Sequence, residues 1–196
     1  MNKIQKISTV LIAIFNAILI GSPSINIAFW AFIDSAFVKR FFNEGNHGWF
    51  VSSNFYTSII TPDGPINLYD VKWTFLSKLL GMLSCIISLF PVLVGVFFLR
   101  QIFKNYRRNE VFTRANACYY RYIGWLFFLN AFIIQPIVGG MLEFAATMNN
   151  APGHRSISIS FGSPNLEAIF CGAILIVISW VMGEASKLQD DQKFTI

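Results

Sequence analysis

The stretch that decides the fold is Leu99 to Trp125, LRQIFKNYRRNEVFTRANACYYRYIGW. It carries Arg100, Lys104, Arg107, Arg108, Arg114 and Arg121 against one acid, Glu110. A long apolar run lies on either side of it. A short Lys/Arg-rich link between two such runs marks a cytoplasmic loop of a membrane protein and orients the spans around it.

Within this stretch, Leu99, Ile102, Phe103 and Tyr106 keep a 3, 4 spacing, so the helix entering from the N-terminal side is expected to run on to about Tyr106. Arg107 to Phe112 forms the turn. Thr113 is placed to cap the next helix, its hydroxyl accepting a backbone N–H left unpaired at the helix start. The six basic side chains are candidates for contact with anionic lipid or for docking a protein.

Composition agrees with a lipid environment. The 196 residues are 55% hydrophobic and 13% charged, with 21 phenylalanines. Soluble domains carry about 25% charged residues. The net charge of +5 does not indicate direct nucleic-acid binding, because the excess lies beside apolar spans, where topology and anionic lipid account for it. Cys85 and Cys171 fall in apolar runs and Cys118 in the basic loop, without metal or redox spacing.

Working outward, four spans are expected: about residues 7–32, 75–98, 122–146 and 165–182. The basic start with Lys3 and Lys6 resembles a signal peptide. However, the apolar run continues past Ile20 without a cleavage pattern, so a retained span is expected. Pro23, Pro91 and Pro136 fall within spans and are expected to kink them. Segment 34–73 holds one more acid than base, in keeping with an external location. Its Trp49–Ile60 stretch, the turn signal Thr61-Pro-Asp-Gly-Pro65 and Ile66–Tyr69 read as a β-hairpin. In the second external segment, 147–164, Ser156-Ile-Ser-Ile-Ser-Phe161 alternates as a half-buried strand does. It is expected to join the hairpin in a small sheet. Ser163 and Pro164 suit the start of the last span, and 183–196 is a polar tail. The fold class is thus an all-α integral membrane protein with four transmembrane helices and a small extracytoplasmic β element.

Three charges fall in spans: Lys78, Glu143 and Glu167. Lys78 lies 32 residues before Glu110 and Glu143 lies 33 after it, so an antiparallel helix pair sets them at one depth. Intramembrane charges are costly and usually paired, so the two are expected to approach each other. Separate snorkelling to the headgroups is the alternative, and an ion or proton path is the sharper one. Glu167 suits the first turn of its helix. No nucleotide-binding, metalloprotease or hydrolase motif occurs, and neither catalytic residues, a metal site nor a cofactor is expected.

The pattern FKNYRRNEVFTRAN at Phe103–Asn116 with IGW at Ile123–Trp125, and the stretch ISFGSPNLEAIFCGAILIVISWVMGEASKLQDDQKFTI from Ile159 to the end, resemble a bacterial membrane-protein family, domain of unknown function 2975. The resemblance runs from the second span to the terminus. It implies a four-span bundle and brings no activity with it. Members of the family are often encoded beside a small helix-turn-helix DNA-binding protein. This implies a sensor or tether that holds such a regulator through the basic loop and acidic tail; the count of four spans, with Lys3 and Lys6, sets both termini on the cytoplasmic side of a bacterial inner membrane. A small transporter using Lys78, Glu143 and Glu167 is the alternative, and a membrane enzyme ranks last. Membrane lipids are expected partners, and a homo-oligomer stays open.

Overall fold

The computed structural model describes residues 3–43, 58–61, 64–159 and 166–194. Among these residues eight elements follow in chain order: α1 (Lys3–Phe32), α2 (Ala36–Asn43), β1 (Ser58–Thr61), β2 (Gly64–Asn67), α3 (Phe75–Arg107), α4 (Arg114–Leu129), α5 (Gln135–Thr147) and α6 (Leu166–Phe194). A π-turn, Asn130–Ile134, joins α4 to α5. Among the described residues, four helical stretches are long and apolar enough to cross a membrane: Lys3–Phe32, Phe75–Arg107, Arg114–Thr147 and Leu166–Gln192. Large apolar side chains stand exposed on each of them, among them Ile20, Phe90, Trp125 and Val181. That outward face suits hydrocarbon as its solvent.

The helix ends reflect local chemistry. α3 runs to Arg107, as the spacing of Leu99 to Tyr106 requires. At its start, Ser77 Oγ accepts the Thr74 N–H at 2.8 Å, and Thr74 Oγ1 accepts the Ser77 N–H at 3.5 Å. This is a capping box with serine in the third position. Thr113 caps α4 as expected, accepting the Asn116 N–H at 3.2 Å. Pro23 and Pro91 lie inside uninterrupted helices. Pro136 instead comes two residues after the π-turn, in the first turn of α5, where proline is tolerated. α6 carries the expected polar tail as helix to Phe194. The proposed caps Ser163 and Pro164 lie outside the described residues, as do Trp49 to Thr57.

Segment 34–73 also holds a short helix that its sequence did not announce. Ser35 Oγ accepts the Val38 N–H at 3.2 Å and so starts α2 directly after α1. The hairpin is present: β1 and β2 pair antiparallel, Ser58 opposite Asn67 and Thr61 opposite Gly64. Gly64 takes φ +119°, which only glycine adopts without strain.

The strand expected at Ser156–Phe161 is corrected over residues 156–159; Ser160 and Phe161 lie outside the described residues. Among the described residues the sheet holds β1 and β2 alone, and residues 154–159 form no ladder. The alternation is real, and its serine side is the one that bonds to α5. Ser156 and Ser158 bond to α5, whereas Ile157 and Ile159 stand exposed. Alternation tells that two faces differ, and here a buried carboxylate claims the polar one.

The chain divides into two compact units. The first comprises Met1–Gly21, Phe90–Ile133 and Ser163–Ile196. In it Phe15 meets Phe103 at 5.6 Å, and α4 crosses α6 where Gly124 faces Gly172. A Cβ on Gly124 would stand 2.9 Å from the Gly172 carbonyl oxygen, and one on Gly172 would stand 3.0 Å from that of Gly124. Small residues let backbones come this close, which is how membrane helices gain packing without a hydrophobic driving force.

The second unit comprises Ser22–Leu89 and Ile134–Gly162. Its core gathers Trp30, Ile33, Ile59, Leu68, Cys85, Val138, Leu142 and Ala146. Trp30 lies edge-on to Trp73 at 5.1 Å and covers Gly81, where a Cβ would overlap the indole. The Trp73 indole N–H donates to the Leu68 carbonyl at 2.8 Å. Asn149 then ties the end of α5 to the start of α3, its amide donating to the Lys72 carbonyl at 3.2 Å.

Candidate functional site

Two polar constructions stand out, one in each unit. In the second unit, Glu143 is 2% exposed, on the α5 face that also buries Val138, Leu142 and Ala146. Its Oε2 accepts the Ser158 backbone N–H at 2.8 Å and also the Ser158 hydroxyl. Its Oε1 is buried and meets no donor among the described residues. One turn later, Thr147 Oγ1 accepts the Ser156 N–H at 3.2 Å and donates back to the Glu143 carbonyl at 2.9 Å. Gly140 completes the seat: a Cβ there would stand 3.1 Å from the Ser158 carbonyl oxygen. Gly140, Glu143 and Thr147 at i, i+3 and i+7 form one helix face. Together they clamp the segment 156–159 along α5.

The expected approach of Lys78 to Glu143 is therefore corrected. Lys78 Nζ pairs with Asp34, just past the end of α1. Equal distance from a turn fixes height along two helices but not the direction each side chain faces. A π-turn also lies between the basic turn and Glu143, so counting in regular helical steps along the third span does not fix the direction in which Glu143 faces. Glu167 stands exposed in the first turn of α6, as expected. Sequence reasoning missed Asp34, Gly140 and Ser158. The paired glycines 139–140 one turn before an apolar-run glutamate were the available signal.

In the first unit, the basic turn is an ordered object. Asn116, wholly buried, holds it together. Its Nδ2 donates to the Glu110 carbonyl at 2.9 Å and the Val111 carbonyl at 2.8 Å, while its Oδ1 accepts from Asn105 Nδ2 at 2.7 Å. Asn109 takes φ +64°, a left-handed conformation asparagine tolerates, and its N–H donates to the Tyr106 carbonyl at 3.0 Å. The hydroxyls of Tyr106 and Tyr120 meet at 3.0 Å. On this frame Arg107, Arg108, Arg114 and Arg121 are exposed, and Arg100 and Lys104 are half-buried. Four exposed guanidiniums on an ordered backbone can grip carboxylates or phosphates through forked hydrogen bonds. The role of Asn116 was not read from the sequence, where it appeared only as the end of the loop pattern.

No curated protein and no solved structure matches the chain. The sequence model of one family, described as protein of unknown function DUF2975, matches residues 56–196 and so takes in the hairpin, the Glu143 clamp and the basic turn. With most of its length so matched, the chain belongs to the DUF2975 family.

Proposed function

We propose that this protein is a non-enzymatic tether or sensor of the bacterial inner membrane that holds a cytoplasmic protein partner. Loop 99–121 and both termini face the cytoplasm, and the hairpin and the clamped segment 156–159 face outward. The concentration of arginine and lysine in that loop supports this orientation. The observation that carries the reading is the turn itself. A loop that served only to fix topology needs charge but no shape. Here the buried Asn116 amide holds the backbone turn at Glu110 and Val111 that carries the exposed Arg107 and Arg108. An ordered surface loses less conformational entropy on binding, which favours a protein ligand with a matching acidic face. A small helix-turn-helix regulator is the partner the family resemblance implies.

The orientation is tested by labelling Cys118, which is exposed beside the turn. A membrane-impermeant maleimide reaches it only in inside-out vesicles if the loop is cytoplasmic. The partner is tested by photo-crosslinking from the turn with Arg107 and Arg108 present or neutralised. Transport through paired membrane charges receives no support from the geometry, since Lys78 and Glu143 serve separate contacts.

A further inference from the structure

The first unit also carries an open groove of about 550 Å³ between α3 and α4, lined by Phe98, Tyr122, Trp125, Phe128, Leu129 and Phe132. Its size lies within the ~300–1,000 Å³ of small-molecule sites. The rings that line it are arranged against one another. Phe98 meets Tyr122 at 5.5 Å, Trp125 meets Phe128 at 5.8 Å, and Phe128 stacks on Phe132 at 6.4 Å. Trp125 is nonetheless 60% exposed, so these contacts shape a surface rather than fill a core.

What distinguishes this groove from other lipid-facing surface is its polar end. On α4, Arg114, Arg121, Trp125, Phe128 and Phe132 recur at steps of seven, four, three and four, and so share one helix face. Both arginines are exposed. Neither has a carboxylate partner among the described residues. The face thus presents two unneutralised cations, then an aromatic step at Trp125, then an apolar channel. This is the order of groups met along a phospholipid: anionic phosphate, glycerol ester, acyl chain.

We infer that this α3–α4 groove is a binding site for one anionic phospholipid of the leaflet beside the basic turn. Arg121, with Arg114 behind it, takes the phosphate. Trp125 and Tyr122 stand at ester level, where amphipathic rings settle, and an acyl chain lies along Phe128, Leu129 and Phe132. The site is separate from the partner surface proposed above, because Arg107 and Arg108 lie on the turn and not on this face.

The test is native mass spectrometry of the full chain released from nanodiscs of equal parts phosphatidylglycerol and phosphatidylcholine. The chain should retain phosphatidylglycerol selectively. Arg121→Gln should lower that retention roughly fivefold, as expected for one arginine at a charged surface. Trp125→Ala should lower retention of both lipids. Arg107→Gln with Arg108→Gln should leave retention unchanged. Equal loss in that turn variant would show diffuse charge attraction and overturn the site. So would retention indifferent to headgroup. A second copy as the occupant would appear as a dimer lost in Trp125→Ala, with no selective lipid, and would also overturn it. Circular dichroism of each variant in the same nanodiscs separates lost binding from lost fold.

Discussion

The Asn105 side-chain amide donates to Asn116 Oδ1 at 2.7 Å, closing the whole basic turn between two residues eleven apart in sequence. Asn116 Nδ2 in turn donates to the Glu110 and Val111 carbonyls. Asn116→Ala removes all of these bonds and leaves Asn105 short of its acceptor. The expected loss is about 1–3 kcal/mol, read as a lower unfolding temperature in detergent. Asn116→Asp should cost nearly as much, since a carboxylate cannot donate to those carbonyls.

The Glu143 clamp predicts a protease signature. Arg155 is exposed, one residue before the clamped segment. Glu143→Ala leaves the Ser158 N–H without its acceptor and should release the segment, giving faster tryptic cleavage after Arg155. Glu143→Gln keeps an acceptor oxygen and should be cut at close to the parental rate. Gly140→Val, which pushes side-chain atoms into the Ser158 carbonyl, should behave like Glu143→Ala. Mass spectrometry of the fragments checks all three. Equal cleavage in every variant would mean that the clamp does not hold the segment.

The crossing of α4 and α6 should be intolerant of any side chain at Gly124. Its Cβ would also stand 2.8 Å from Ile176 Cγ1. Gly124→Ala is expected to destabilise by about 1–3 kcal/mol, the usual cost of overpacking, and Gly124→Val by more. Gly95 has open space where a Cβ would go, so Gly95→Ala should be neutral or stabilising and serves as the control. Thermal unfolding in detergent reads the series.

Lys78 gives a clean double-mutant cycle. With Asp34→Asn, Lys78→Met should show coupling below about 1 kcal/mol, because both partners keep access to solvent. With Glu143→Gln, the two effects should add within about 0.5 kcal/mol, as expected for residues with no shared partner. Strong coupling of Lys78 to Glu143 would contradict the contacts described.

The four long helices, the Thr113 cap and the β-hairpin were legible because each rests on a local signal: hydropathy, a capping residue, a turn sequence. What was illegible depends on rotation about a helix axis. Glu143 could be assigned a depth from counting but not a direction, and the π-turn ahead of Pro136, which breaks the regular helical count, leaves no mark in the hydropathy. The direction of Ser158 was open for the same reason: alternation is symmetric between its two faces until a partner is known. Asn116 was overlooked because a buried asparagine in a basic loop looks like any solvated polar residue. The carbonyls of Glu110 and Val111, folded back onto it, and the amide of Asn105 give it a role.

The central claim is that the ordered turn docks a protein, and it is tested most directly from Phe112. This exposed aromatic lies within the turn segment and can be replaced by benzoylphenylalanine without disturbing the left-handed Asn109 or the buried Asn116. Irradiation in cells should yield a covalent adduct with one small cytoplasmic protein. That adduct should disappear when Arg107→Gln and Arg108→Gln are introduced while Cys118 labelling shows the topology intact. Adducts with lipid alone, or a protein adduct unchanged by losing both arginines, would contradict the claim.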